Sequence, residues 1–276
     1  MTNGAWLIRY HDFISNKETQ QFAIVDGPTV ISDSQNALLL VLDSSFNPPH
    51  WGHYTLVKKA YECYRDLYPG KSVHVLLSLS VNNADKGGEK PATFDKRVAM
   101  MHIMARILED KMPEVEVSIG LSVFPKFVDK DASIRKQFFQ HGEVVYLVGY
   151  DTIVRIFDAK YYKPDTPAIV LNEFMRQTEL CCLTRLSGDV TPEMQQRYPL
   201  DILHGEYEPS IPKEWGNRIK VIANDAKYIG VSSSAIRKEI TTNRGNLDLD
   251  GLQQLLPGEI ISYIVGHSKA KSIFEG

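Results

Sequence analysis

The sequence predicts an α/β fold built on a doubly wound, Rossmann-like parallel sheet. Three observations carry that prediction. Short, continuously apolar runs recur, such as ALLLVL at 37–42 and VVYLV at 144–148, and runs of this kind suit strands buried on both faces. Segments with apolar residues at helical spacing lie between them. Strand and helix alternate along the chain, which implies right-handed crossovers between parallel neighbours.

Residues 5–21 mix apolar and polar side chains at a loose helical period and predict an outer helix. The first strand is expected at 37–42. The turn-rich DSSFNPPHWGH follows, and Leu56, Ala60, Tyr64 and Leu67 then mark a helix over 54–67, which Pro69 and Gly70 end. A second strand is expected at 73–79. Phe94, Val98, Met101, Ala105 and Leu108 mark the next helix, and alternation of Val115, Val117, Ile119 and Leu121 a third strand. The fourth strand is 144–148, with Gly149 and a short helix from about Asp151 after it. Strands five and six are expected at 180–184 and 218–222, and helices at 234–241, 247–256 and 259–265. Residues 186–216, rich in Pro, Gly and acids, read as a long loop or small excursion. In such sheets ligands bind beyond the carboxyl ends of the strands, at the switch point. The segments after the first, fourth and sixth of these strands are therefore the candidate site.

With 276 residues, 43% of them hydrophobic, the chain can bury a full core. Its net charge of −3 is spread along the sequence, which argues against a nucleic-acid partner held by a broad positive field. No run approaches the roughly 18 apolar residues of a membrane span, so no membrane partner is expected. The N-terminal MTNGAWLIRYHDFISNK has no uninterrupted apolar stretch and does not read as a secretory leader. Cys63, Cys181 and Cys182 show no metal spacing. They are expected to be reduced, mostly buried thiols, which suits an intracellular protein of cytoplasm and/or nucleus. Nothing in the sequence signals an oligomeric state.

Two segments carry chemistry. Ser44 to His53 leaves a buried strand and opens a helix, where free backbone N–H groups and the positive dipole end favour phosphate. His50 and His53 are three apart and share a face of the first turn, so both imidazoles can donate to phosphate oxygens. Read without context, the same residues could form a metal pair, a simple turn and a solvated cap. Val231 to Arg237 follows the last strand. Ser232, Ser233 and Ser234 suit a helix cap, and Arg237 shares a face with Ser233, an arrangement fit for a di- or triphosphate. The plain alternative is a capped helix with a surface arginine.

Ser45-Phe46-Asn47-Pro48-Pro49-His50-x-Gly52-His53 resembles the G-S-F-N-P-x-[HT]-x-G-H signature of the nicotinamide mononucleotide adenylyltransferase family, within the H-x-G-H nucleotidyltransferase superfamily. Ser44 stands where the family has Gly, a form similar to a divergent, fungal-type branch. Val231 to Arg237 resembles the family's I-S-S-T-x-I-R, with Ser234 in the Thr position. The resemblance runs from about 37 to 266. It implies a nucleotidyltransferase domain over 37–276, with 1–36 an N-terminal extension packed on it. It implies that His50, His53 and Arg237 are catalytic. Ser45, Phe46, Asn47, Lys86 (with Lys90 a rival), Gly149, Asp151, Ser232, Ser233 and Ser234 are implied to hold ATP and its phosphates. Tyr162, beside Tyr161, is implied to stack on the acceptor ring, and Arg185 to bind the mononucleotide. A helix cap at Asp151 and an ordinary tyrosine pair are the local alternatives.

The implied reaction is attack by a mononucleotide phosphate on the α-phosphorus of ATP, releasing pyrophosphate. The partners are ATP and nicotinamide or nicotinate mononucleotide. The nucleophile is already ionised, so no general base is required. Mg²⁺ is expected to be carried on ATP, with no metal ligands from the chain. The rival readings are transfer to another phosphate acceptor, ATP hydrolysis, and a nucleotide-binding regulator without turnover.

Overall fold

In this computed structural model, residues 5–31, 33–82, 91–243, 246–267 and 273–274 are described. Helix α1 (Ala5–Asn16) leads into β1 (Phe22–Asp26) and β2 (Ala37–Asp43). Then come α2 (Trp51–Leu67), β3 (Ser72–Ser80), α3 (Phe94–Lys111), β4 (Val115–Ser122), α4 (Phe127–Gln137) and β5 (Glu143–Leu147). The chain continues through α5 (Tyr150–Ile156), α6 (Pro167–Val170), α7 (Asn172–Gln177), β6 (Thr178–Leu183) and α8 (Pro192–Leu203). Strand β7 (Ile219–Ile222) and helices α9 (Ser233–Thr242), α10 (Leu249–Leu255) and α11 (Gly258–His267) follow.

The strands form one sheet in the order β1-β4-β3-β2-β5-β6-β7. Strands β2 to β7 pair in parallel, and β1 lies antiparallel on β4. The chain moves outward from β2 to β3 and β4, then returns to set β5 on the other side of β2. That reversal makes the switch point. Leu42 is level with Leu147 there, so the segments after β2 and β5 leave the sheet side by side.

Side chains alternate across a strand, and β2 divides the interior accordingly. Leu38, Leu40 and Leu42 pack with Leu56 and Val57 of α2 and with Ile236 and Ile240 of α9. Leu39 and Val41 pack on the opposite face with Ile134 of α4, Phe138 just after it and Ile153 of α5. Asp43 continues the second series and so emerges on the α4 face.

The strands and helices expected between 37 and 265 are present, with ends moved by a few residues, and the sequence reading missed β1, α4, α6, α7 and α8. The helix expected over 5–21 ends at Asn16, and β1 follows that span where no strand was expected; FAIVD is short and only partly buried. Helix α4 lies in a stretch whose helical stripe is broken because charged Lys130 and Asp131 face inward. Helix α8 corrects the long loop expected at 186–216. Thr191 caps it, its hydroxyl accepting from Met194 N, and Pro192 occupies the first turn, where a missing N–H costs nothing. Among the described residues no helix is long and apolar enough to cross a membrane.

Gly142 turns the chain into β5 at φ +106°, and a Cβ there would lie 2.1 Å from the Ser34 carbonyl oxygen. Gly70 also has positive φ, +87°, but open space around it. Gly142→Ala should therefore cost about 3 kcal/mol or more, and Gly70→Ala only about 1–2 kcal/mol. Urea denaturation of both variants checks this, and equal losses would show that the close approach costs nothing.

Candidate active site

The first wall of the cleft is the turn after β2. Phe46 is held at φ +46°, with its ring fully buried and 5.4 Å from the His53 ring. A left-handed non-glycine residue is strained by about 1 kcal/mol or more, and burial of the ring offsets it. His50 is the N-cap of α2 and His53 its third residue. The His50 backbone N–H donates to His53 Nδ1 at 3.1 Å. The His53 proton therefore sits on Nε2, which donates to Ser44 Oγ at 2.9 Å. The two imidazole centroids are 3.9 Å apart. Gly52 permits this, since a Cβ there would lie 2.9 Å from the His50 ring.

Burial pushes His53 down to about 4. Burial first, then the neighbouring His53 and Arg185, hold His50 well below the usual histidine range. Both rings are thus neutral at pH 7. Among the described residues no group pairs with the buried Nδ1 of His50.

Helix α9 closes the second wall. Ser232 caps it, Oγ accepting from Ala235 N at 3.2 Å. Ser233 Oγ donates to the Pro48 carbonyl at 2.9 Å, and Arg237 Nη1 to the Asn47 carbonyl at 2.7 Å. Arg237 Nη2 reaches Ser234 Oγ at 3.4 Å. Asn47 Oδ1 accepts from Ala92 N, anchoring the same turn from below.

Across the switch point, Gly149 caps α5 and Asp151 accepts from Arg185 Nη1 at 3.0 Å. A Cβ at Gly149 would crowd that carboxylate at 2.8 Å. The arginine's backbone is clasped by the fully buried Gln195 of α8. Gln195 Oε1 accepts from Arg185 N, while Nε2 donates to the Arg185 and Val190 carbonyls. Tyr162 is mostly buried and its hydroxyl donates to the Ile156 carbonyl at 2.5 Å, so its ring is fixed. The Lys126 ammonium lies 5.9 Å from that ring's centre. Asp43 pairs with the buried Lys130 at 2.7 Å.

These groups enclose a cleft of about 750 Å³. The structure brings Ser45, Asn47, His50, His53, Gly149, Asp151, Tyr162, Arg185, Ser232, Ser233, Ser234 and Arg237 to its lining. Phe46 does not line it; its side chain is core beneath His53. Lys86 and its rival Lys90 lie outside the described residues. The sequence reading missed Asp43, Lys126 and Lys130 in the lining, and Gln195 behind it. Charge at a strand end is the one signal that pointed to Asp43, and Gln195 lay in the supposed loop. No group of three or more His, Cys, Asp or Glu side chains able to hold a metal occurs among the described residues.

Residues 41–239 match the cytidylyltransferase-like family. A Schizosaccharomyces pombe protein, provisionally named as a nicotinamide mononucleotide adenylyltransferase, is 34% identical over 227 residues, covering 82% of this chain and 83% of its own length. The backbone is similar to Plasmodium falciparum nicotinic acid mononucleotide adenylyltransferase complexed with NaAD, at TM-score 0.55 and 15% identity over 84% of this chain and 97% of that one. The same enzyme complexed with APC gives TM-score 0.52 and 13% identity over 84% and 96%. At those identities the two structures speak for the fold, and the sequence relative and family match carry the rest: the chain belongs to the nicotinamide mononucleotide adenylyltransferase family, within the cytidylyltransferase-like group.

Proposed function

We propose that the chain joins nicotinamide or nicotinate mononucleotide to the AMP part of ATP, giving the dinucleotide and pyrophosphate. The observation that carries this reading is the junction of two phosphate motifs. Ser233 and Arg237 hydrogen-bond to the turn at Asn47 and Pro48, so the N-termini of α2 and α9 face one cleft. Family membership supports the choice of reaction.

An oxygen of the acceptor phosphate attacks the α-phosphorus of ATP. The new O–P bond forms as the α–β bridge breaks, and pyrophosphate leaves with the bridging oxygen. No proton need move to start the step. The chain's part is to align the two substrates and to meet charge gathering on the bridging oxygen. His53 offers an Nε2–H that Ser44 already orients. His50 brings a second neutral ring, and Arg237 and the serine cap of α9 take the β- and γ-phosphates. Asp151 accepts from ribose hydroxyls, and Tyr162 lies against the acceptor's ring with Arg185 nearby.

Mg²⁺ suits the substrate better than the chain. The cleft carboxylates Asp43 and Asp151 are engaged by Lys130 and Arg185, so the ion would be held chiefly by the triphosphate and water. When bound it would draw off charge from the leaving pyrophosphate.

The direct test is incubation with ATP, Mg²⁺ and a panel of mononucleotides, with products weighed by mass spectrometry. A pyridine dinucleotide and pyrophosphate are expected. Phosphate without dinucleotide would assign hydrolysis instead, and a product from another phosphate acceptor would move the assignment within the superfamily.

His53→Ala and Arg237→Ala should each lower kcat about a hundred- to thousand-fold, the usual loss of one donor at developing charge. Arg237→Ala should also cost roughly 1.5–3 kcal/mol of stability, because its bond to the Asn47 carbonyl is charge-assisted. Turnover and urea denaturation on the same samples check both. A few-fold loss of kcat would reduce the two residues to a cap and a tether.

The neutral histidines have a thermodynamic signature. Free histidine ionises near pH ~6.5, whereas buried His53 does so only near 4. Between those values the unfolded chain binds more protons, so stability should fall as pH drops from 6.5 toward 4. His53→Gln should flatten that dependence by about one proton, roughly 1.4 kcal/mol per pH unit. Urea denaturation at pH 7 and pH 5 measures it, and an unchanged slope would place the His53 proton in both states alike.

A further inference from the structure

The ion pair Asp43–Lys130 lines the cleft, and the chemistry above makes no use of it. Lys130 Nζ lies 2.7 Å from Asp43 Oδ2, with the side chains 1% and 10% exposed, and Ser78 Oγ donates to the same oxygen at 3.2 Å. Taking two charges out of water costs about as much as their attraction returns, so apolar residues would serve stability as well. The pair is therefore better explained by what it faces. Of the three N–H groups on Lys130, Asp43 takes one and the Phe127 ring lies 4.8 Å from the nitrogen. That leaves donor capacity for an anion in the cleft.

Position decides which anion. His50, His53, Arg237 and the serine cap enter from the face of the sheet that carries α2 and α9. Lys130 enters from α4, on the opposite face, where the alternation of β2 also delivers Asp43. In phosphoryl-type displacement the incoming and leaving oxygens lie roughly in line on opposite sides of phosphorus. With the triphosphate along the α2–α9 wall, the anion beside α4 is the incoming one.

We infer that Lys130 binds the phosphate of the acceptor mononucleotide, with Asp43 holding its ammonium at the cleft. The inference rests on the transferase reading above and names the residue that receives the nucleophile. Two polyanions must approach to bonding distance, and a cation between them removes repulsion that would be strong in a partly dry cleft. Lys130 gains or loses no proton in the step.

The test is kinetic and uses the full chain with ATP, Mg²⁺ and nicotinamide or nicotinate mononucleotide, whichever the parent uses. Lys130→Met should raise KM for the mononucleotide at least tenfold while KM for ATP stays within twofold, and Lys130→Arg should recover most of the loss. Lys130→Met leaves Asp43 buried without its partner and can fail to fold for that reason alone. The double variant Asp43→Asn, Lys130→Met removes both charges and keeps the shapes. It should fold, and should still show the raised mononucleotide KM. A double variant with the parent's KM for mononucleotide would make the pair purely structural and overturn the inference, as would equal rises in both KM values. A parent that makes no dinucleotide is a different result: it defeats the transferase reading, and this inference with it.

Discussion

The cleft depends on two hydrogen bonds between segments far apart in the chain, Ser233 to the Pro48 carbonyl and Arg237 to the Asn47 carbonyl. Each helix N-terminus carries a partial positive charge, and bringing two of them to one space is unfavourable unless something between them is negative. The Asn47 and Pro48 carbonyl oxygens fill that need in the protein itself. They accept from a hydroxyl and a guanidinium at the start of α9 while belonging to the turn that starts α2. The strained φ of Phe46 persists because the turn is held on several sides: Phe46 in the core, Asn47 Oδ1 on Ala92, and the α9 donors above. A phosphate in the cleft meets donors whose spacing is already set.

The division of the interior into two packed faces explains how the walls are assigned. β2 sends alternate residues to opposite sides, so one strand end supplies the first motif to one wall and Asp43 to the other. The walls also differ in charge. On the α2 side the two imidazoles are neutral because burial disfavours their protonated forms, so they act as directional donors. The positive groups are Arg237 on that side and Lys126, Lys130 and Arg185 across from it, the last two paired with Asp43 and Asp151.

Much of this was legible in the sequence because it rests on local patterns. The apolar runs of β2 and β5 marked buried parallel strands, and the order of elements implied the reversal between them. The motifs were legible because a helix start after a buried strand has few structural solutions. What stayed hidden was what depends on partners distant in sequence. α4 lacked a clear stripe because Lys130 and Asp131 turn inward, toward Asp43 and toward Arg135 and Tyr146. Their burial is compensated by groups a linear pattern does not reveal. β1 was missed because an edge strand gains half its meaning from the β4 it pairs with. The α8 segment was misjudged because its prolines were counted as breakers, when Pro192 stands where proline starts a helix.

The Gln195 clasp has a consequence for how such a site can change over generations. A primary amide sets two N–H donors beside a carbonyl acceptor without carrying charge, and Gln195 uses both kinds of group on the main chain around Arg185. A glutamate there would bring a buried charge and lose the donors; a leucine would leave two carbonyls and an N–H unsatisfied. The amide itself is thus hard to replace, yet the helix that carries it lies outside the cleft and has an exposed outer side. Drift on that outer side can shift α8 by fractions of an ångström and move the guanidinium of Arg185 with it. Affinity for a nucleotide could then be tuned by residues that never touch one.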